Sequence, residues 1–214
     1  MKLWAVALLA MLGASLPGAG FAHPHAWIDL VVHVRFDAEG RVTALHEEWL
    51  FDEYYTAFAL EALGKSPEDE LTPDDMRILV EQSMESLRDY RYFTRISVGT
   101  KDLDTAKAED ALGVMQDGRW KMAFTLPLAT PRAPGKQGIA YAIYDPSYYV
   151  EMLHLEGAGA VVLEQAPESC SFRKTRPEPN FEALSLAAAA DMERTDGTAT
   201  LGALFAEKVT IRCG

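Results

Sequence analysis

The chain has 214 residues, with 32 acidic side chains against 20 basic ones and a formal net charge of −12. That balance disfavours nucleic acid and anionic membrane surfaces as partners, and it attracts cations weakly. Beyond the first two dozen residues no apolar run approaches the roughly 18 residues of a membrane span, so no stable membrane insertion of the mature chain is expected.

The first 22 residues read as a secretory signal peptide. Met1-Lys2 is a short basic start, residues 3–12 are apolar, and residues 13–22 are rich in small residues, with Gly20 and Ala22 at the −3 and −1 positions of a cleavage site. Cleavage after Ala22 makes His23 the first residue of a single periplasmic domain, 23–214. A domain of that length buries roughly 70% of its unfolded surface and needs no metal to fold.

The new terminus is chemically loaded. His23-Pro24-His25-Ala26-Trp27-Ile28-Asp29 brings an α-amine and two of the chain's five imidazoles onto one short segment. Both group types lose a proton easily and bind borderline metals such as zinc, nickel or copper. Pro24 has no amide N–H to lose, which argues against the square-planar motif that uses deprotonated backbone amides. The competing reading is a polar start to a strand.

Residues 25–36 then alternate. Ile28, Leu30, Val32, Val34 and Phe36 share one face, with His25, Trp27, Asp29, His33 and Arg35 on the other. Asp37-Ala38-Glu39-Gly40 is a turn, and residues 41–51 return as the second strand of a hairpin. His33 and His46 fall in its two strands and read as solvated or core-edge histidines, with a ligand role as the alternative.

Asp52 can cap a helix with an apolar stripe of Tyr55, Phe58, Ala59 and Ala62. Thr72-Pro73-Asp74-Asp75 opens a second helix that buries Met76, Leu79, Val80, Met84 and Leu87. The acids between the helices lack the spacing of a calcium-binding EF-hand loop and read as a solvated, helix-capping run. Residues 92–98, 111–116, 120–126 and 139–144 are short and β-rich, separated by turn residues, and 160–164 with 172–174 look like another strand pair. A helix over 180–192, a loop at Asp196-Gly197, a short helix over 201–206 and a strand over 207–213 complete the chain. The fold class is α+β: a mainly antiparallel sheet or sandwich, with two helices after the first hairpin and short C-terminal helices.

Cys170 and Cys213, the two cysteines, read as one disulfide of an exported protein; a thiolate metal site is the alternative. In Tyr144-Asp145-Pro146-Ser147-Tyr148-Tyr149 the proline turns the end of a strand and leaves Asp145 at a rim. There it either accepts turn N–H bonds or comes close to His23 or His25 to form a mixed imidazole and carboxylate metal site.

Four stretches together resemble one family: the His23–Asp29 segment, Phe51-Asp52-Glu53-Tyr54-Tyr55, Tyr144–Tyr149, and Leu201-Gly202-Ala203-Leu204-Phe205-Ala206 running on to Cys213. It is the bacterial exported family known as domain of unknown function 1007, and the similarity spans the mature chain. The resemblance implies a periplasmic location and a link to ABC-type transport of nickel, cobalt or zinc. It supplies no catalytic set, and Gly-x-Ser-x-Gly, His-Glu-x-x-His and Cys-x-x-Cys motifs are all missing from the sequence. The expected function is therefore a periplasmic, transition-metal-binding accessory protein with His23, His25 and Asp145 as ligands and a membrane metal transporter as partner. The alternatives are a non-catalytic interaction module of the envelope and a histidine-brace copper oxidoreductase.

Overall fold

The computed structural model describes residues 24–189 and 201–214. The expected signal peptide, His23, the end of the helix expected over 180–192 and the loop at Asp196-Gly197 lie outside the described residues.

The chain opens with a long hairpin, β1 (Ala26–Phe36) and β2 (Val42–Phe51), followed by helices α1 (Glu53–Glu61) and α2 (Pro73–Arg88). Strands β3 (Thr94–Val98), β4 (Lys101–Asp102), β5 (Glu109–Gln116), β6 (Arg119–Arg132), β7 (Ile139–Ile143), β8 (Val150–His154), β9 (Val161–Glu164) and β10 (Cys170–Thr175) come next. Helix α3 (Phe181–Ala189) and strand β11 (Lys208–Cys213) end the chain. Short 3-10 turns occupy Arg91–Phe93 and Gly202–Leu204.

These strands form two sheets. The first has the order β5-β6-β2-β1-β8, with β9 also paired to β1, and the second the order β10-β11-β7-β3-β4. Ile28, Leu30, Val32, Val34 and Phe36 are all buried, as the alternation predicts. They face the second sheet and the two helices across one continuous core that includes Trp49, Trp120, Phe124, Tyr141, Val209 and Ile211. Burying each large apolar side chain of this kind stabilises the fold by about 1.5–3 kcal/mol. The result is an α+β sandwich.

Asp52 and Thr72 cap their helices as expected. The Asp52 carboxylate accepts from the Tyr55 N–H at 2.9 Å, and Thr72 forms a capping box with Asp75. Cys170 and Cys213 stand directly opposite each other on β10 and β11 and are joined by a disulfide. Closing a loop with a sequence separation of 43 contributes about 4 kcal/mol in the chain-entropy model.

The structure departs from the sequence reading in four places. The α1 stripe is rotated: Thr56, Ala59 and Leu60 are buried, while Phe58 is 70% exposed and Ala62 is exposed. Thr56 is drawn inward because its hydroxyl serves the β6 backbone, accepting from the Trp120 N–H at 3.0 Å. Strands β9 and β10 do not pair with each other; β9 lies parallel to β1 and β10 antiparallel to β11. Residues 92 and 93 belong to a turn with positive φ rather than to strand β3. Finally, β4 and β8 have no counterpart in the sequence reading, and β8 runs parallel to β1 with Ala26 opposite Val150.

Candidate functional site

The four family-like stretches are far apart in sequence and meet at one end of the sandwich. The Trp27 N–H donates to the Asp52 carboxylate at 2.6 Å, and the Asp52 N–H returns a bond to the Trp27 carbonyl at 2.9 Å. The His25 N–H donates to the Tyr149 carbonyl at 2.9 Å, and the His25 ring stacks on the Tyr149 ring with centroids 4.8 Å apart. The Tyr148 ring stacks on Phe205 at 4.0 Å, and the Gly202 N–H donates to the Pro146 carbonyl at 3.1 Å. Gly202 is required by close approach, since a Cβ there would sit 1.9 Å from the Asp145 carbonyl oxygen. The stretches thus fold as one assembly.

Asp145 is buried and organises the bend. One carboxylate oxygen accepts from the Ser147 N–H at 2.9 Å and from the Ser147 hydroxyl; the other accepts from that hydroxyl and from the Val150 N–H at 3.1 Å. These bonds hold Tyr149 and the start of β8 in place. Of the three expected metal ligands, His25 stacks on Tyr149, Asp145 is bound to Ser147 and the Val150 N–H in the adjoining bend, and His23 lies outside the described residues. Among the described residues no three His, Cys, Asp or Glu side chains are grouped to hold a metal ion.

Next to this assembly a cleft of about 570 Å³ opens between α1, α2 and the first sheet. Its floor includes Trp49, Phe51 and Trp120, with Phe51 and Trp120 stacked at 4.3 Å. Tyr55, Phe58, Tyr90 and Tyr149 stand around it, the last three at least half exposed. Polar atoms in the wall come from Gln82, Ser83, Ser86 and Asp145. The Tyr55 hydroxyl is pushed above its usual range by burial, with Tyr149, Asp145 and Asp52 acting in the same direction. Size and lining match those of small-molecule sites, which are concave, mostly apolar and provided with a few polar groups.

Two polar crossings between the sheets escaped the sequence reading. Glu47 on β2 is fully buried and touches Thr94 Oγ1 at 2.9 Å and Trp49 Nε1 at 3.0 Å, and burial pushes its carboxyl up to about 8. Thr94 Oγ1 also donates to the Tyr92 carbonyl at 2.9 Å. Its one hydrogen serves either Glu47 or the Tyr92 carbonyl at a time. At the second crossing Tyr141 Oη lies 2.9 Å from His154 Nε2, and His154 Nδ1 lies 2.8 Å from the Glu207 carboxylate, which Lys174 also approaches at 3.2 Å. Burial works to raise Glu207, but hydrogen bonds from His154 and Lys174 win and hold its carboxyl down at about 2. Glu47 had a signal in the sequence: Leu45, Glu47, Trp49 and Phe51 share a phase, so an acid falls on a core position.

His33 and His46 are direct partners across the hairpin, their rings 5.9 Å apart. They sit half-buried on the outer face of the first sheet, where His33 Nδ1 is 2.7 Å from Glu164 and His46 Nδ1 is 3.1 Å from Thr125 Oγ1. Burial, helped by Arg35, lowers the His46 pKa.

Fold and site together define an α+β sandwich, closed by one disulfide, with an aromatic cleft beside the start of its first strand. The chain belongs to the family described as protein of unknown function (DUF1007), whose model matches residues 8–213. An uncharacterized protein of Haemophilus influenzae is 23% identical over 209 residues, covering 95% of this chain and 97% of its own. An uncharacterized 15.5 kDa protein from the trpE 3′ region of Spirochaeta aurantia is 28% identical over 108 residues, covering 45% of this chain and 76% of its own.

Proposed function

We propose that the protein is a non-catalytic binding module of the cell envelope. Its ligand is a small molecule with an apolar body, held in the cleft between α1, α2 and the first sheet, and a polar end at the Tyr55–Tyr149 rim. The observation that carries this reading is the convergence of the four family-like stretches beside one aromatic-lined cleft of about 570 Å³. Apolar walls supply the affinity and the few rim hydroxyls orient the ligand. An exported location agrees with the disulfide and with the signal-like start of the chain.

Fluorescence titration with an anilinonaphthalene sulfonate dye, which combines an aromatic body with an anionic end, tests the cleft. Trp49 and Trp120 line it and serve as energy donors. One saturable site is expected, lost when Ser83→Phe fills the wall, with unfolding by urea unchanged. A dye response that Ser83→Phe leaves intact contradicts the reading.

A second reading is favoured by the place of His25 at the same rim. Here a zinc, nickel or copper ion is held by His23 and His25 and passed to a membrane metal transporter. Asp145 contributes only if it gives up a bond to Ser147 or Val150. Zinc titration of the chain beginning at His23 tests it: binding at least tenfold weaker in His25→Ala is expected, and equal binding by the two contradicts it.

A further inference from the structure

The outer face of the second sheet reverses the sign of the chain as a whole. The pairings put Arg95 and Ser97 of β3, Ala140 and Ala142 of β7, Lys208, Thr210 and Arg212 of β11, and Arg173 of β10 on that face. Their neighbours Tyr141, Val209 and Ile211 point into the core. None of these four cations makes an ion pair with a described residue, whereas Arg91, Lys174 and Arg176 do. The one acid the strand register puts on the face, Asp102 at its far edge, is bound to Arg91 at 3.3 Å. In a chain with twelve more acids than bases, four uncompensated cations on one flat face are a concentrated positive patch.

Helix α3 packs through Leu201 and Phe205 on the turn that borders this face, and is built inside out. Its small residues Ala183 and Ala187 face inward, packed with Tyr148, Leu201 and Phe205, while Phe181 is 86% exposed, Leu186 51% and Leu184 38%. A helix folded only for its own protein buries its large apolar side chains and exposes the small ones. The two features share a seam. A depression of about 410 Å³ runs from Arg95 over Ser97 and Ala142 to Lys208, and its wall is Ala203 and Ala206 of the turn on which α3 packs.

We propose that this side of the protein docks on an anionic phospholipid surface: the cations of the second sheet meet the headgroup phosphates, and Phe181 and Leu186 of α3 enter the interfacial layer. The small residues Ser97, Ala140 and Ala142 leave room for a headgroup between Arg95 and Lys208. Charge complementarity selects the occupant, because an uncharged partner would leave the four cations unused. The overall negative charge does not prevent docking. Glu182, exposed on α3 between Phe181 and Leu186, sets one negative charge against the four cations, while acids on the far sheet are separated from the membrane by the roughly 10 Å between sheets and more, beyond a Debye length of about 8 Å at physiological salt. The docking is peripheral, and among the described residues no helix is long and apolar enough to cross a membrane.

The chain beginning at His23 is incubated with vesicles of equal parts phosphatidylglycerol and phosphatidylethanolamine, or of phosphatidylcholine alone, and bound protein is measured by cosedimentation. Binding to the anionic vesicles only, weakened by high salt, is expected. The double variant Arg173→Glu/Lys208→Glu should reduce it about a hundredfold, and Phe181→Ser/Leu186→Ser about tenfold. All four positions are exposed, so thermal unfolding should not move. No binding to the anionic vesicles, binding that charge reversal leaves unchanged, or a dimer in sedimentation that Phe181→Ser dissociates would each overturn the proposal. The last outcome would assign the α3 face to a second copy of the chain.

Discussion

Two buried glutamates tie the sheets together, and they are handled in opposite ways. Glu47 meets only a threonine hydroxyl and an indole N–H, and burial pushes its carboxyl up to about 8. Glu207, also buried, receives the His154 N–H at 2.8 Å, the His154 ring and the Lys174 ammonium, and is held at about 2. Glu47 is the more deeply enclosed of the two, so depth and the donors around an interior acid together set its charge. One crossing is a neutral hydrogen-bonded acid, the other an ion pair that reaches the surface through Lys174.

The sharpest separation of the two is expected from Glu47→Gln. Because its folded pKa lies above the ordinary 4.5, the folded chain keeps a proton that the unfolded chain has lost between those values. Stability from this group is complete below pH 4.5 and falls as the pH rises to about 8, by an upper limit of roughly 5 kcal/mol. The glutamine keeps a neutral amide in place. It should match the parent near pH 5 and be several kcal/mol more stable at pH 9, read by urea unfolding at both values. Equal pH slopes for the two proteins would show that Glu47 is ionised when buried.

Glu207→Ala should behave in the opposite sense. Removing the carboxylate leaves Lys174 and the buried His154 N–H without their acceptor, at a cost of about 3–5 kcal/mol at pH 7. The parent's folded pKa lies below the ordinary value, so this stabilisation is present above pH 4.5 and is lost as the pH falls towards 2. In unfolding measured across that range the gap between variant and parent should narrow with acid. A constant gap would mean that Glu207 acts through packing rather than charge. Tyr141→Phe removes only the hydroxyl that meets His154 Nε2 at 2.9 Å, and should cost about 1–2 kcal/mol; a neutral effect would detach Tyr141 from the crossing.

Much of the first half of the fold was legible because its signals are local. The alternation from Ile28 to Phe36 names the buried face, Asp52 and Thr72 announce their helices through side-chain caps, and the pair Cys170 and Cys213 closes as expected. What was not legible depends on distant partners. The parallel pairing of β1 with β8 and β9 requires knowing where two crossovers land. Thr56, left out of the expected α1 stripe, is drawn inward by the Trp120 N–H that its hydroxyl accepts. At the candidate site the sequence singled out His23, His25 and Asp145; the structure stacks His25 on Tyr149 and ties Asp145 to the backbone of Val150, the next residue. The cleft beside them is assembled from β2, α1, α2 and β6, elements whose side chains read separately as ordinary core.

The central claim, that the cleft is a binding site, is tested most directly by native mass spectrometry of the protein recovered in its exported form. The account predicts a released small molecule with an apolar body, present on the parent chain and missing from Ser83→Phe, together with a chain mass that begins at His23. A parent chain that carries no small molecule, or an adduct retained in Ser83→Phe, would contradict it; a metal ion alone, lost in His25→Ala, would move the function to His25.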